Sequence, residues 1–255
     1  MKSFRQKQQR PRKSQLIIGF DAVLKALESG EMLDRIYIQQ GLKGEEAAVI
    51  RNKAAVNQIP VNVVPAEKLN HFHVADHGGV VAQKARIRYQ DLQRIIDWVN
   101  ERGEVPLFLM LDGITDIRNI GAIARTAWCC GVQCLIIPDK GVGALNEDAI
   151  LTSAGALEQI AVCRVQSLMK AVDTLHLNGI RVFASEMKAK KELVECDFEV
   201  PSVIVLGGEE KGIYPALLKI CDEQFKIPMH RNFESLNVSV AAGMMLYEVM
   251  RQRGE

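Results

Sequence analysis

No apolar run in the 255 residues approaches the roughly 20 needed to span a bilayer, and no apolar stretch follows the N-terminal charges as it would in a signal peptide. The expectation is a cytoplasmic protein with no membrane contact. Cysteine is missing from the first half. The six in the second half (Cys129, Cys130, Cys134, Cys163, Cys196 and Cys221) form no Cys-x-x-Cys pair, and no histidine stands at metal-ligand spacing. They read as reduced, mostly core thiols rather than a disulfide framework or a zinc site, and no metal is expected. Net charge is almost absent too, at +1 from 32 basic and 31 acidic residues, which by itself counts against a strongly basic nucleic-acid binder. Neither a Walker loop nor the Gly-x-Gly-x-x-Gly dinucleotide pattern occurs, which disfavours a nucleotide-binding oxidoreductase.

What is present is ordinary globular material, 48% hydrophobic and 25% charged. The near-neutral average hides an asymmetry: Met1 to Lys13 carries Lys2, Arg5, Lys7, Arg10, Arg12 and Lys13 and no acid, so the remainder sums to −5. This stretch reads as a flexible basic tail (residues 1–13), either merely solubilising or in contact with RNA. Residues 14–88 alternate short strand-like and helical patterns and read as a small α/β domain. A linker, 89–104, contains an amphipathic helix marked by Leu92, Ile95, Ile96 and Val99. From 105 to 255, strand-like runs (Pro106 to Leu111, Cys134 to Pro138, Gln159 to Val165, Arg181 to Ala184, Ser202 to Leu206, Gln224 to Ile227) alternate with helical ones. Runs apolar on both faces and separated by helices predict a mostly parallel sheet covered on two sides.

Ligands of such sheets sit beyond the carboxyl ends of strands, so the segments following the apolar runs carry the interest. After Leu111, a polar loop leads into a helix expected to start near Asn119, with Asn119 as its N-cap. Gly121 and Arg125 fall on one face there, leaving clearance for an anionic or ribose group; on spacing alone, a tolerated glycine and a solvated arginine is the favoured alternative. After Leu206 comes Gly207-Gly-Glu-Glu-Lys-Gly212, where backbone could approach a ligand or simply turn. Gly141-Val-Gly143 is a weaker case of the same kind. After Ile227, the loop to Ser239 leads into the last helix, which Ser235 or Asn237 can cap; its backbone, flanked by Ile227 and Leu236, would also suit an adenine ring.

Taken together and in order, Asn119-x-Gly121-x-x-x-Arg125, Leu206-Gly-Gly-Glu209-x-x-Gly212, and Ile227-Pro-Met229 with Ser235-Leu-Asn-Val-Ser239 resemble the three signature motifs of the SpoU/TrmH family of RNA ribose 2'-O-methyltransferases, within the SPOUT superfamily. Thr152-Ser-Ala-Gly-Ala156 is similar to a further segment of the family. Gly19-Phe-Asp-Ala-Val23 and His77-Gly-Gly-Val-Val-Ala82 resemble the ribosomal-protein-like RNA-binding domain of its 23S rRNA guanosine-modifying branch. The chain departs from that branch at Asp21, where the branch has His, and at Arg231, where it has Gly.

The resemblance implies an α/β fold whose C-terminal sheet is threaded into a deep trefoil knot, a homodimer formed through that knotted domain, and S-adenosyl-L-methionine as cofactor. It implies cofactor contacts at Leu206, Gly207, Gly212, Ile227, Met229 and Leu236. It also implies a catalytic group of Arg125, Asn119, Glu209, Ser235 and Asn237, with Arg125 nearest the chemistry. The activity implied is methylation of a ribose 2'-hydroxyl in structured RNA, 23S rRNA first and tRNA as the alternative, with an inactive RNA-binding protein of the same fold a weaker one.

Overall fold

The computed structural model describes residues 16–254 except 43, 58, 73, 75, 144, 210 and 232–234; the basic tail at 1–13 lies outside the described residues. The chain divides into two compact units, the first ending at Arg86 and the second beginning at Ile87.

The first unit runs β1 (Leu16–Ile18), α1 (Phe20–Glu28), β2 (Leu33–Gln39), α2 (Glu45–Val56), β3 (Val61–Val64), α3 (Ala66–Asn70) and β4 (Val80–Lys84). The strands form one sheet in the order β1-β4-β2-β3, parallel only between β2 and β3. Alternation along β2 sends Ile36 and Ile38 to the face covered by α1 and α2, where Val23, Leu27, Ile50 and Ala54 are buried, while Tyr37 points the other way toward Phe72. The tight Gly78-Gly79 turn into β4 uses positive φ at both residues, +52° and +81°, a conformation glycine adopts without penalty.

The second unit runs β5 (Tyr89–Gln90), α4 (Leu92–Glu101), β6 (Leu107–Asp112), α5 (Ile117–Cys129), β7 (Cys134–Pro138), α6 (Glu147–Thr152), β8 (Ala161–Val165), α7 (Leu168–Leu177), β9 (Arg181–Ser185), β10 (Lys191–Glu192), β11 (Ser202–Gly207), α8 (Pro215–Leu218), β12 (Glu223–Lys226) and α9 (Val238–Arg253). Its eight strands lie in the order β10-β12-β9-β11-β6-β7-β8-β5, and every pairing is parallel. The strands are apolar on both sides because helices cover both: α4, α7 and α8 pack on Phe108, Met110, Val203 and Val205, while α5, α6 and α9 pack on Leu109, Leu111, Ile204 and Leu206. The segment expected as a linker is part of this packing. Leu92, Ile95, Ile96 and Val99 of α4 are buried in the first of these cores, and β5 extends the sheet beside β8.

Chain order along the sheet reverses at its centre. From β6 the chain steps outward through β7 and β8, then crosses to the other side for β9 and returns to insert β11 against β6. Such a reversal is the switch point at which open parallel sheets place their ligand sites, at the carboxyl ends of the strands.

Candidate active site

The carboxyl ends of β6 and β11 are adjacent and in register to the last residue, Gly207 opposite Asp112. Beyond them the two loops are pressed together more closely than side chains would allow. A Cβ on Gly208 would lie 2.4 Å from the carbonyl oxygen of Gly113, and one on Gly207 would lie 2.3 Å from the backbone of Gly212. The Gly212 amide donates to the Gly208 carbonyl (2.8 Å), closing the glycine turn, and the Tyr214 amide donates to the Asp112 carboxylate (2.6 Å), tying it back to β6. The glycines are therefore required by backbone-on-backbone packing, and the result is a fixed position for Glu209.

Three side chains from three distant segments meet there. Asn119, only 8% exposed, donates its amide to Glu209 Oε1 (2.7 Å). Asn237 donates to Asn119 Oδ1 (3.1 Å) and, more weakly, to Glu209 Oε1 (3.3 Å). Asn237 also caps α9, accepting at Oδ1 from the Ser239 amide (2.9 Å), the Ser239 hydroxyl (2.6 Å) and the Val240 amide (3.4 Å). That cap settles the orientation of the whole chain of groups. With its oxygen committed to α9, Asn237 can offer only its NH₂ to Asn119, which must accept at oxygen and so present its own NH₂ to the carboxylate. Of the five expected catalytic residues, the fold joins Asn119, Glu209 and Asn237 in one network. Arg125 and Ser235 stand outside it, both exposed and, among the described residues, without a hydrogen bond or ion pair.

Asn119→Asp is expected to replace the central donor with a second carboxylate facing Glu209. Repulsion would raise the new carboxyl's pKa in the folded state, so the penalty is full above that raised value, shrinks as pH falls through it and is nearly gone at the unfolded value near 4. The melting temperature of this variant should fall short of wild type at pH 7 by the equivalent of about 2 kcal/mol, the scale of a lost hydrogen bond to a charged group. Thermal scans in which the gap stays constant down to pH 4 would contradict this account of the network.

Two expectations are corrected. Asn119 is not the N-cap of α5: the helix begins at Ile117, and Asp116 is the cap, accepting from the Arg118 amide (2.9 Å). The signal was legible, an aspartate directly before the first apolar-periodic residue. Asp116 also takes the Arg118 guanidinium at both oxygens, Nε to Oδ1 at 3.2 Å and Nη2 to Oδ2 at 2.9 Å, and these bonds hold its carboxyl below the usual carboxylate range. The second correction concerns Gly121. It leaves no clearance for a ligand, since a Cβ there would lie 2.7 Å from Thr152 Cβ and 2.9 Å from the Ala149 carbonyl. The space is filled by α6, whose following segment Ser153–Ala156 is itself locked. The fully buried Ser153 hydroxyl donates to the Ile150 carbonyl (2.8 Å) and accepts from the Leu157 amide (3.2 Å). Gly143 is likewise a packing glycine, its α-carbon turned onto the Thr115 carbonyl.

The expected cofactor residues line the same end of the sheet. β9 registers with β11 only as far as Val205, so Leu206 and Gly207 are paired on the β6 side alone. Among the described residues, Ile227, Met229 and Leu236 make no backbone hydrogen bond outside the strand ladders, although Ile227 is buried and the other two half-buried. A ring that needs a few main-chain donors and acceptors between apolar flanks fits these residues, because unpaired amides and carbonyls in such a setting otherwise go unsatisfied. A cavity of about 590 Å³ is elsewhere, at the amino ends of the strands between Glu104, Gln133, Glu199 and Arg253. Arg253 is fully engaged there with the carbonyls of Val105, Pro106, Phe198 and Val200, which makes the region a clasp for the end of α9.

All six cysteines are free, and Cys134, Cys163 and Cys196 are buried. Burial pushes the Cys196 thiol up to about 11 and that of Cys221 to about 12, so both are protonated and unreactive at neutral pH. Among the described residues no group of three His, Cys, Asp or Glu side chains could hold a metal ion, and no helix is long and apolar enough to cross a membrane.

A glycine-rich turn and two asparagines joined at the switch point of a parallel sheet define a class of protein already suggested by its motifs. The sequence pattern of the SpoU rRNA methylase family matches residues 106–247, and that of the RNA 2'-O ribose methyltransferase substrate-binding domain matches residues 16–90. The chain belongs to the SpoU rRNA methylase family and is an RNA methyltransferase. Among individual proteins, it is 33% identical over 237 residues, covering 93% of this chain and 95% of the other, to a Bacillus subtilis (strain 168) protein assigned to the TrmH family of tRNA/rRNA methyltransferases. The fold is that of the SpoU methyltransferase AviRb from Streptomyces viridochromogenes, solved in complex with AdoMet (TM-score 0.59, 24% identity, 93% of this chain and 90% of that one). The TrmH/SpoU tRNA-modifying enzyme of A. aeolicus matches 64% of this chain and 84% of its own at 28% identity (TM-score 0.53).

Proposed function

We propose that the protein transfers a methyl group from S-adenosyl-L-methionine to a ribose 2'-hydroxyl of 23S rRNA. The observation that carries this reading is the network of Asn119, Glu209 and Asn237, which welds all three family motifs into one site at the carboxyl ends of β6 and β11. The match of residues 16–90 to a 2'-O ribose methyltransferase substrate-binding domain supports the position of the methyl group on the RNA.

S-adenosyl-L-methionine, when bound, supplies an electrophilic sulfonium methyl. The backbone of Leu206, Gly207, Gly212, Ile227, Met229 and Leu236 would hold it. The protein's remaining task is to bring the 2'-oxygen into line and to ease loss of its proton. A guanidinium is a permanent cation, so Arg125 acts by fixing the hydroxyl and the neighbouring phosphate rather than by taking the proton, which passes to that phosphate or to water. Asn119 orients the ribose or Arg125, Glu209 holds the amides of Asn119 and Asn237 or meets RNA, and Ser235 and Asn237 shape the acceptor pocket.

The active form is proposed to be a homodimer through this domain. Val240, Met244 and Tyr247, spaced four and three residues apart, leave an apolar stripe exposed along α9, and Gly243 turns onto Thr126 of α5, one residue from Arg125. A second copy covering this stripe would bring its own Arg125 close to the interface.

The test uses 23S rRNA purified from a strain lacking this protein, incubated with the enzyme and tritiated S-adenosyl-L-methionine. A 2'-O-methyl ribose cannot open its 3'-phosphodiester, so label is expected in a dinucleotide that survives alkaline hydrolysis. Label recovered only in mononucleotides would place the methyl on a base and overturn the 2'-O assignment.

A further inference from the structure

We propose that Arg118 is a phosphate-positioning residue, which exchanges the carboxylate of Asp116 for a backbone phosphate of the substrate RNA next to the target ribose. The proposal rests on the RNA-methylating reading above and adds to it a residue outside the family's motif positions. Arg118 is in the first turn of α5, directly before Asn119, so its backbone is fixed by the same residue that reaches Glu209. Its side chain nevertheless points outward and is 77% exposed. The guanidinium already adopts the two-pronged geometry used for oxyanions, but it spends that geometry on Asp116, two residues away. The Glu209 carboxylate acts on it as well.

An ion pair this exposed contributes little to stability, because water and salt screen it and two side chains must be held still to keep it. It costs little to break. Asp116 keeps its structural task without Arg118's side chain, since the cap on the Arg118 amide is a separate bond. The arrangement therefore stores an arginine, extended and oriented, beside the catalytic network, neutralised by a carboxylate that a phosphate can displace. A phosphate offers the same fork of oxygens, and displacing a carboxylate from a guanidinium leaves the protein's fold unchanged.

Three variants test the exchange, each assayed with the same undermethylated 23S rRNA. Arg118→Ala should raise KM for RNA about tenfold and flatten the log-log salt dependence of RNA binding by about 0.7 to 0.9, the contribution of one phosphate. It should leave kcat within about twofold, since a phosphate contact positions RNA without acting on the reacting atoms. Arg118→Lys should recover part of the affinity, as a point charge without the fork. Asp116→Asn keeps a good N-cap but frees Arg118, so it should tighten RNA binding several-fold.

An Arg118→Ala enzyme with wild-type KM and salt slope would overturn the proposal. So would an Asp116→Asn enzyme that binds RNA more weakly, because Asp116 would then be helping rather than competing. Loss of S-adenosyl-L-methionine affinity by calorimetry in Arg118→Ala would overturn it too, assigning the arginine to the cofactor's carboxylate. Failure of the wild-type enzyme to label RNA would instead remove the functional reading itself, a result separable from all of these.

Discussion

Arg125→Ala is expected to abolish methyl transfer while leaving cofactor affinity close to wild type. The side chain is exposed and free of intramolecular partners among the described residues, so its removal leaves no buried group unsatisfied, and the melting temperature should hold. The expected loss in kcat is on the order of 100-fold or more, as seen when a charged group that serves only the transition state is removed. Tritiated-methyl transfer measured beside calorimetric binding of S-adenosyl-L-methionine separates the two effects. Normal turnover would end the assignment of Arg125. A parallel loss of cofactor binding would move it from the RNA side of the site to the cofactor side.

Gly208→Ala should produce the opposite pattern, a structural lesion felt as lost binding. The added Cβ meets a backbone carbonyl at 2.4 Å, which no rotamer change can relieve. Either the β6 loop or the β11 loop must move, at a cost of about 1–3 kcal/mol, the range for overpacking. Either movement displaces Gly207 and Glu209 from their partners, so S-adenosyl-L-methionine affinity should fall at least tenfold. Gly179→Ala is the comparison: it strains a positive φ of +72° but meets nothing within 4 Å, and it is far along the chain from all three site segments. It should lose stability while still binding the cofactor. Equal cofactor affinity in the two variants would show that the contact between the loops does not shape the site.

The sheet was legible because its strands carry their own evidence. Runs such as Cys134–Pro138 and Ser202–Gly207 are long enough, and apolar enough on both faces, to be read without knowing their neighbours. β5 and β10 have two residues each, too few to show any period, and exist only because a longer strand is beside them. The same limit governed the site. Periodicity put Gly121 and Arg125 on one face of α5 but could not say that Thr152 fills the space beside Gly121, since that neighbour comes from another helix. The bonds from Asn119 to Glu209 and from Asn237 to Asn119 span 90 and 118 residues, and no local pattern encodes them. Only the resemblance of the three motifs, taken together, pointed to their meeting. The pairing of Arg118 with Asp116, outside those motifs, was left to the geometry.

Asn237 ends one chain of bonds and begins another. Its oxygen holds the first turn of α9, and its nitrogen holds Asn119 and Glu209. Seating of the last helix and order in the glycine loop are thus one linked equilibrium, and linkage is reciprocal. Any ligand that draws Glu209 and the glycine loop into place lends part of its binding free energy to α9, and any fraying at the start of α9 is charged against that ligand's affinity. The amides of Ser239 and Val240, far from the glycine loop in sequence, should accordingly exchange with solvent more slowly whenever the loop is occupied.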